Sequence, residues 1–294
     1  MTIEPFRRVA IIGLGLIGSS LARALTEQKL ADSIVGGDAD QAVCDEAVSL
    51  GVVGEASTDL AKAVADADLV VLSVPVGANG DVAKIIGPAL SQGAIVTDVG
   101  SVKQAVIEAV KPHLPEGVHF IPGHPVAGTE HSGPAAGFAG LFDGRYWILT
   151  PERDADPAAV ERLNAALTQC GALVETMAPA HHDRVLAITS HLPHLIAYTI
   201  VGTATDLEDE TKDEVIRYSA SGFRDFTRIA ASDPVMWRDV FLNNREAVLE
   251  ILQRFSEDLT ALQRAIRWGE GDTLERRFEQ TREIRRGVID ANQA

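Results

Sequence analysis

A glycine-rich turn near the N-terminus constrains the fold of this chain more than any other feature of its sequence. The mostly apolar run Arg8–Ile12 leads into Gly13-Leu14-Gly15-Leu16-Ile17-Gly18, and Ile17–Gln28 then has helical periodicity. In a turn of this spacing the first glycine permits a tight reversal, and the third lets the helix pack closely against the strand. The segment therefore predicts a strand, a turn and a helix, which together begin a βαβ unit.

Short β-branched apolar runs alternate with helical segments through the first half of the chain. The predicted strands are Arg8–Ile12, Ser33–Gly37, Leu69–Val74, Ile95–Asp98, His119–Ile121, Tyr146–Thr150 and Leu173–Met177. Because alanine- and leucine-rich helical segments separate the early strands, these should form a mostly parallel sheet with helices on both faces. The prediction is an α/β fold whose N-terminal domain is Rossmann-like and doubly wound.

The second half of the chain lacks this strand pattern and is predicted to be all-α. We place a domain boundary near residue 178, which divides the chain into residues 1–178 and 179–294. A long helix should begin at Pro234, with Asp233 as its N-cap. Its seam fits packing within the domain, a dimer interface, or both. The apolar positions of this seam are Val248, Leu252, Phe255, Leu259, Leu262 and Ile266.

The composition argues against two classes of partner. The 294 residues carry a formal net charge of -16, whereas nucleic acids and anionic membrane surfaces attract basic proteins. No apolar run reaches the length of about 18 residues that a membrane span needs, and the N-terminus has no secretory signal pattern. Cys44 and Cys170 lie far apart, without the spacing of a metal site. We therefore expect a cytoplasmic protein that binds neither nucleic acid nor membrane.

The glycine turn also predicts a ligand. Its second glycine lets a pyrophosphate approach the backbone, and the helix N-terminus behind it favours negative charge. Asp38 ends the second predicted strand, where a carboxylate accepts hydrogen bonds from the ribose hydroxyls of NAD. The sequence therefore predicts NAD as cofactor, and a glycine turn without a ligand is the alternative. The predicted cofactor-binding residues here are Gly13, Gly15, Leu16, Ile17, Gly18 and Asp38.

Two further segments follow later strands, at the edge where a doubly wound sheet binds its ligands. They are Asp98–Lys103 and Gly123–Glu130. The second contains His124 between a glycine and a proline, in what we expect to be a stiff turn that leaves the imidazole free to project. A structural loop histidine is the alternative interpretation of His124.

The helical half contains histidines and arginines in close spacing. His191 and His194 are three residues apart, so they share a helix face, and Arg224 and Arg228 share a face if their segment is helical. In so acidic a chain, arginines near histidines favour a pocket for carboxylates, which guanidinium binds in a bidentate way. The alternatives are a surface ion pair with Asp225 and a metal held by the two histidines. No third ligand is convincingly spaced, so we expect no metal.

Together these segments resemble the prephenate and arogenate (cyclohexadienyl) dehydrogenase family. The similarity extends in order over most of the chain, through IIGLGLIGSSLA, VVLSVPV, VTDVGSVK, GHPVAGTEHSGP, ITSHLPHLIAY and SGFRDFTRIAASDPVMWRDVF. The GHPVAGTE, SHLPH and DFTRIA blocks are far more specific than the glycine turn. The resemblance implies NAD-dependent oxidative decarboxylation of prephenate or arogenate on the route to tyrosine, and a homodimer that pairs through the helical domain.

The resemblance also implies roles for individual residues. His124 matches the catalytic histidine that takes the hydroxyl proton while the same ring carbon gives its hydride to NAD, and Ser101 matches its hydrogen-bonding partner. Arg228 matches an arginine that holds a substrate carboxylate. Ser73 and Pro75, in VVLSVPV, are expected at the cofactor. The expected substrate-binding residues are Thr129, Glu130, His191, His194, Arg224 and Arg228.

Two rival functions remain open from the sequence. A β-hydroxyacid dehydrogenase or imine reductase has the same two-domain plan, but the hydroxyacid group uses a lysine on the helix after the nucleotide domain. The segment His181–Val201 contains no lysine. A dinucleotide-sensing module without turnover is the rival from a different class, and His124 together with Arg228 argues against it.

Cofactor choice is the first testable prediction. Asp38 and Asp40 both carry negative charge at the ribose position, and a unit-charge pair at about 4 Å interacts by about 4 kcal/mol at an effective dielectric near 20. We therefore expect kcat/KM with NAD to exceed that with NADP by at least about tenfold. Asp38→Ser should narrow the gap, because it weakens NAD and admits the 2′-phosphate of NADP. Equal efficiency of the wild-type chain with both dinucleotides would contradict this assignment.

Overall fold

The structure is a computed structural model that describes residues 4–129, 131–205, 214, 217–218 and 220–290. The strands are β1 (Val9–Ile12), β2 (Ile34–Gly37), β3 (Glu55–Ser57), β4 (Leu69–Leu72), β5 (Ile95–Asp98), β6 (His119–Phe120), β7 (Gly123–Pro125), β8 (Tyr146–Leu149) and β9 (Leu173–Thr176). The helices of the first half are α1 (Leu16–Glu27), α2 (Gln41–Ser49), α3 (Leu60–Val64), α4 (Asn79–Ile86), α5 (Gln104–Val110) and α6 (Pro157–Gln169). Those of the second half are α7 (Pro179–Leu186), α8 (Leu192–Thr205), α9 (Ser221–Thr227), α10 (Pro234–Asn243), α11 (Arg245–Trp268) and α12 (Gly271–Asp290).

The topology of the central sheet creates a crevice for ligands. Within the described ranges, six parallel strands are ordered β3-β2-β1-β4-β5-β6. β1 lies between β2 and β4, with Val9 opposite both Ile34 and Leu69. The strand order reverses at this point, so the carboxyl ends of β1 and β4 flank the topological switch point, where open α/β sheets bind their ligands. The predicted doubly wound α/β fold followed by helices is confirmed.

The strands of the sheet are apolar on both faces, because each face packs against helices. Alternate residues belong to separate cores, and each fully buried aliphatic side chain contributes about 1.5–3 kcal/mol. One core, with α1 and α6, contains the strand residues Val9, Ile11, Ile34, Leu69, Val71 and Ile95. The other, with α3, α4 and α5, contains Ala10, Ile12, Val35, Val70, Leu72 and Val96.

A second, smaller sheet has the order β7-β8-β9, with β7 antiparallel to β8 and β8 parallel to β9. The predicted strand list lacked β7, and the expectation that His124 lies in a stiff turn is wrong. His124 is the middle residue of β7 and pairs with Ile148 of β8. The list also lacked β3, a short edge strand whose sequence Glu-Ala-Ser has no β-branched run. Both were missed because their strand pairing, rather than their composition, makes them strands.

The expectation that no run reaches membrane-spanning length is wrong, because the helical run Pro179–Ala204 is long and apolar enough to cross a membrane by length and composition alone. It comprises α7, a π-helical turn at Ala187–His191 and most of α8. His182 and Asp183 in this run are buried, and the Asp183 carboxylate accepts a hydrogen bond at 2.7 Å from the main-chain N–H of Lys103, before α5. An acidic side chain tied in this way to the nucleotide-binding half shows that the α7 end of the run packs inside the folded chain.

The helix predicted to begin at Pro234 starts where expected but ends early. Asp233 caps it, with its Oδ1 accepting the Met236 N–H at 2.7 Å. α10 ends at Asn243, and Asn244 leaves helical geometry with φ -109° and ψ 32°. The long helix predicted through the seam is therefore two helices, α10 and α11. Periodicity alone missed this break, which occurs where the side chain of Asn244 hydrogen-bonds to the main-chain oxygen of Asp183 and to Nδ1 of His191.

By internal contacts the chain divides into two compact units, residues 1–245 and 246–294. The first unit includes both sheets and the helices through α10. The boundary predicted near residue 178 falls inside this unit and remains a prediction about function. In the second unit Val248 is buried, whereas Leu259 and Ile266 of the predicted seam are 54% and 68% exposed.

Candidate active site

The glycine turn follows β1 and has the shape that its sequence predicts. Gly13 has φ +96°, and a Cβ there would lie 2.2 Å from the main-chain oxygen of Ser73. A Cβ on Gly18 would lie 2.1 Å from the oxygen of Gly13, so both positions require glycine. Beside Gly15, by contrast, no atom lies within 4 Å of the position of a Cβ. The turn is therefore packed on its inner side and open at its middle glycine, where a ligand can approach the backbone.

The other predicted cofactor residues lie at the same edge of the sheet. The Asp38 Oδ2 accepts the Leu14 N–H at 2.9 Å, which fixes this carboxylate beside the glycine turn. Ser73 and Pro75 follow β4, next to β1, and the Ser73 N–H donates to the Ile12 oxygen at 2.6 Å. α1 begins with Leu16 and Ile17, has no acidic residue in its first turn, and its N-cap Gly15 makes no side-chain hydrogen bond. These residues fit the pyrophosphate and ribose of NAD.

His124 on β7 is the end of a hydrogen-bonded chain of buried side chains. Its Nδ1 lies 2.8 Å from Nε2 of His182 on α7, and Nδ1 of His182 lies 2.8 Å from Oδ1 of Asp183. The Asp183 carboxylate also accepts the N–H groups of Lys103 at 2.7 Å and of Gln104 at 2.9 Å. The chain therefore joins β7, α7 and the start of α5 into one rigid arrangement.

The hydrogen-bond pattern assigns the tautomer of both histidines. A carboxylate accepts hydrogen bonds, so His182 carries its proton on Nδ1, and its Nε2 is an acceptor. His124 must then donate from Nδ1, which leaves Nε2 of His124 unprotonated. Burial lowers the pKa of His124 well below its ordinary value of 6.5, and His182, Lys103 and His191 lower it further. His124 therefore offers a neutral, oriented base nitrogen at physiological pH.

A buried ion pair supports the strand that carries His124. Lys103 and Asp98 are both fully buried, and the Lys103 Nζ donates to the Asp98 carboxylate and, at 2.6 Å, to the oxygen of Gly123. Asp98 accepts in turn from the N–H of Gly123 at 3.1 Å and of Gly100 at 2.8 Å. Burial lowers the pKa of Lys103, and the Asp98 carboxylate opposes that shift. The residue preceding His124 is thus held through both its N–H and its carbonyl group.

The structure also brings His191, His194 and Arg228 together in the helical half. The ring of His194 stacks on Trp237 with centroids 3.6 Å apart, and His191 contacts the same ring edge to face at 6.0 Å. Burial lowers the pKa of His191 to about 4. Burial also lowers the pKa of His194, and the charge of Arg228 lowers it further, which places Arg228 close to that ring. The Asn244 amide links the two sets of residues, because its Nδ2 lies 2.9 Å from the main-chain oxygen of Asp183 and 3.0 Å from Nδ1 of His191.

The remaining predicted residues lie at or outside the border of this site. Arg224 on α9 is exposed and lies 3.4 Å from the Asp225 carboxylate, an ion pair of little energetic weight at the surface. Thr129 is exposed, with its Oγ1 accepting the His131 N–H at 3.3 Å, and Glu130 lies outside the described residues. The ring of His124 bonds to His182, while Ser101, its predicted partner, lies half-buried in the segment after β5. The role of Ser101 stays a prediction.

Sequence reasoning missed the residues that support the site. It did not select His182, Asp183, Trp237 or Asn244, and it noted Lys103 only as part of a segment. One signal was available: Asp183 lies near the start of the mostly apolar run Pro179–Ala204, where a buried carboxylate without a partner is costly. Among the described residues, no group of three or more histidine, cysteine or acidic side chains is arranged to hold a metal ion.

A Rossmann-type cradle, an oriented base and a neighbouring arginine define a nicotinamide-dependent dehydrogenase. Two family profiles match the chain: prephenate dehydrogenase, nucleotide-binding domain, over residues 21–176, and prephenate dehydrogenase, dimerization domain, over residues 178–280. The cyclohexadienyl dehydrogenase of Zymomonas mobilis is 43% identical over 281 residues, which cover 95% of each chain. The chain belongs to the prephenate dehydrogenase family, as its motifs predict.

Solved structures agree with this assignment. Prephenate dehydrogenase from Aquifex aeolicus, in complex with hydroxyphenyl propionate and NAD+, superposes with a TM-score of 0.88 at 34% identity, covering 98% of this chain and 99% of that one. Arogenate dehydrogenase from Synechocystis gives a TM-score of 0.81 at 30% identity, covering 96% and 99%. The predicted class of enzyme and the predicted cofactor, NAD, are confirmed.

The buried histidines predict an acid-sensitive fold. A histidine with a lowered pKa is neutral in the folded chain but protonated in the unfolded chain below about pH 6.5, so stability falls as the pH drops. Each such histidine contributes a slope of about 1.4 kcal/mol per pH unit between its unfolded and folded pKa. For His191 that window extends from the ordinary value of 6.5 down to about 4.

Urea unfolding between pH 7 and pH 4 measures this slope. His191→Gln should lower it by about the share of one histidine, because the variant has one group fewer to protonate on unfolding. His113→Gln, at an exposed position, is the matched control and should follow the wild-type curve. Parallel curves for the wild-type chain and His191→Gln would show that His191 titrates alike in both states.

Proposed function

We propose that this chain oxidises and decarboxylates prephenate, arogenate or both, with NAD as oxidant, in the synthesis of tyrosine. The observation that carries the proposal is the geometry of His124. It is a buried neutral histidine whose Nδ1 is used by His182 and whose Nε2 is left as a base, and the preceding Gly123 hydrogen-bonds to Asp98 at the carboxyl end of β5. The substrate has a ring hydroxyl whose proton such a base can take.

The residues of the chain divide the chemistry between them. Bound NAD supplies the oxidant, because it accepts a hydride from the ring carbon that carries the hydroxyl. His124 Nε2 removes the hydroxyl proton as that carbon becomes a ketone. The resulting dienone withdraws electrons from the opposite ring carbon, so its carboxylate leaves as carbon dioxide and the ring becomes aromatic. The proton held by His124 then returns to the phenolate oxygen, which regenerates the base.

His182 and Asp183 support His124 during this proton transfer. When His124 gains a proton at Nε2, the positive charge arises in a buried site where it is poorly solvated. Its Nδ1–H already points to His182, whose own Nδ1–H points to the Asp183 carboxylate, so a negative charge lies at the end of the chain. The arrangement orients the imidazole and fixes its tautomer, as the carboxylate does in a catalytic triad.

We propose that Arg228 and the stacked pair His194 and Trp237 form the substrate side of the site. Both candidate substrates carry two carboxylates, and a guanidinium group binds a carboxylate in a bidentate way. Arg228 influences the pKa of His194, and His194 stacks on Trp237 at 3.6 Å, so a charged group and a flat surface lie side by side. That combination suits a ring that bears a carboxylate. His191, Thr129, Glu130 and Arg224 remain further candidates for substrate contacts.

We also propose that the chain acts as a homodimer in the cytoplasm. The matching profile over residues 178–280 describes a dimerization domain, and α11 and α12 expose apolar side chains such as Leu259, Ile266 and Ile284. Exposed apolar positions of this size favour burial against a second copy. On this proposal residues 1–178 bind the dinucleotide, whereas residues 179–294 bind substrate and form the dimer.

Substitution of the base tests the mechanism. His124→Asn keeps a similar volume and a hydrogen bond but lacks the basic nitrogen, so turnover should fall by about 10²–10⁴-fold, the usual share of general base catalysis. The formation of NADH from NAD with prephenate, and separately with arogenate, measures it. In the wild-type chain the acid limb of the kcat/KM profile should lie well below pH 6.5, because burial lowers the pKa of His124.

Binding of NAD is the control for His124→Asn, since calorimetry should give the wild-type dissociation constant if only chemistry is lost. Ser101→Ala should cost less than His124→Asn, because its hydroxyl is expected to orient the base rather than accept the proton. Retention of most turnover and of the acid limb by His124→Asn would remove His124 as the base. No NADH with either substrate in the wild-type chain would remove the proposed function itself.

Removal of the arginine tests substrate binding. Arg228→Ala should weaken binding of prephenate or arogenate by about 2–5 kcal/mol, because it strands a substrate carboxylate without its partner. The dissociation constant of NAD should hardly change, since the dinucleotide cradle lies on the other half of the site. Arg153→Ala, at another exposed arginine, is the control and should behave like the wild-type chain. An unchanged KM in Arg228→Ala would contradict the assigned contact.

A further inference from the structure

Asn244 is a buried polar residue at the junction of α10 and α11, and 4% of it is exposed. Its Nδ2 donates to the main-chain oxygen of Asp183 at 2.9 Å. The same Nδ2 lies 3.0 Å from Nδ1 of His191. One amide group therefore touches both the helix that supports His124 and a second histidine of the site.

The orientation of this amide follows from its first partner. A main-chain carbonyl oxygen can only accept a hydrogen bond, so the NH₂ group of Asn244, and not its oxygen, must face Asp183. The second hydrogen of that NH₂ group then points to Nδ1 of His191, which must accept it. A neutral histidine that accepts at Nδ1 carries its proton on Nε2. Burial lowers the pKa of His191 to about 4, so the ring is neutral at physiological pH.

The Nε2–H group of His191 is a buried donor that needs an acceptor. The ring is fully buried on a π-helical turn, a feature that is frequent at functional sites. Among the described residues no atom meets hydrogen-bond geometry with His191 Nε2, although the main chain of Ser101 lies close enough to raise its pKa as a hydrogen-bond partner. A buried donor of this kind is costly unless an acceptor reaches it.

We propose that Asn244 is a positioning residue of this active site, which fixes His191 as the neutral Nε2–H tautomer and so sets which nitrogen of that ring can donate inside the site. Through its bond to the Asp183 carbonyl it also ties that donor to the helix that orients His124. The inference rests on the proposed function for the identity of the substrate, but the tautomer of His191 is a property of the chain alone.

The tautomer is measured directly by nitrogen NMR of protein labelled with ¹⁵N-histidine, with His191→Gln used to assign the resonances. We expect His191 to have a protonated Nε2 and an unprotonated Nδ1 from neutral pH down to about pH 5, since its pKa lies near 4. A protonated Nδ1 in the wild-type chain at neutral pH would overturn the inference. This measurement uses the wild-type chain, so it does not depend on whether any Asn244 variant folds.

Asn244→Asp tests the same contact through activity. The carboxylate has the shape of the amide but no N–H, so it repels the Asp183 carbonyl and attracts a proton to Nδ1 of His191. We expect kcat/KM to fall by about 10–100-fold, as for other residues that orient a ligand-binding histidine, with the dissociation constant of NAD unchanged. The kcat/KM profile should also gain an ionisation nearer neutral pH than any in the wild-type profile, which loss of packing alone does not produce.

Asn243→Asp is the matched control, because it makes the same chemical change at the adjacent position. Asn243 is exposed, and its Nδ2 donates to the main-chain oxygen of Asp239 at 2.7 Å. We expect wild-type kcat/KM and a wild-type pH profile for this variant. Equal profiles for Asn244→Asp and Asn243→Asp would overturn the inference. If the wild-type chain converts neither prephenate nor arogenate, the proposed function fails, and the tautomer measurement alone decides the role of Asn244.

Discussion

The carboxylate of Asp183 is the interaction on which the site depends. It accepts hydrogen bonds from the N–H groups of Lys103 and Gln104 and from Nδ1 of His182, and its main-chain oxygen accepts from Asn244. A buried carboxylate is stable only when donors surround it, and here they come from the start of α5 and from α7. The requirement to satisfy one charge therefore brings the nucleotide-binding half and the helical half together beside His124.

Burial also decides the chemistry of the histidines. Removal from water disfavours the protonated imidazole, and it is the largest cause of the lowered pKa at His124, His182, His191 and His194. An exposed histidine would be partly protonated near neutral pH and would lose part of its value as a base. Lys103 adds to this effect at His124, while the nearby Asp98 keeps the lysine paired. The site thus gains a neutral base at the cost of sensitivity of the fold to acid.

Local patterns in the sequence predicted what local physics controls. The turn at Gly13 and Gly18 requires glycine because any Cβ there meets backbone, and the capped start of α10 at Asp233 follows from one side chain. Neither β7 nor the break at Asn244 could be predicted in this way, because strand pairing with β8 and hydrogen bonds to Asp183 and His191 create them. These partners are 22 or more positions distant in the sequence, at which range periodicity carries no information.

The same limit explains why the sequence suggested His124 and His191 as candidates but did not suggest the residues that hydrogen-bond to them. A histidine in a specific block is visible because its chemistry is unusual for its neighbours. In the proposed mechanism Asp183 and Asn244, in contrast, take no direct part in the reaction and act by setting which histidine nitrogens are protonated. His182 transmits the choice made at Asp183 to His124, and Asn244 makes the corresponding choice at His191. Orienting residues of this kind are recognised only when both partners of each hydrogen bond are known, because the partner shows which histidine nitrogen carries the proton.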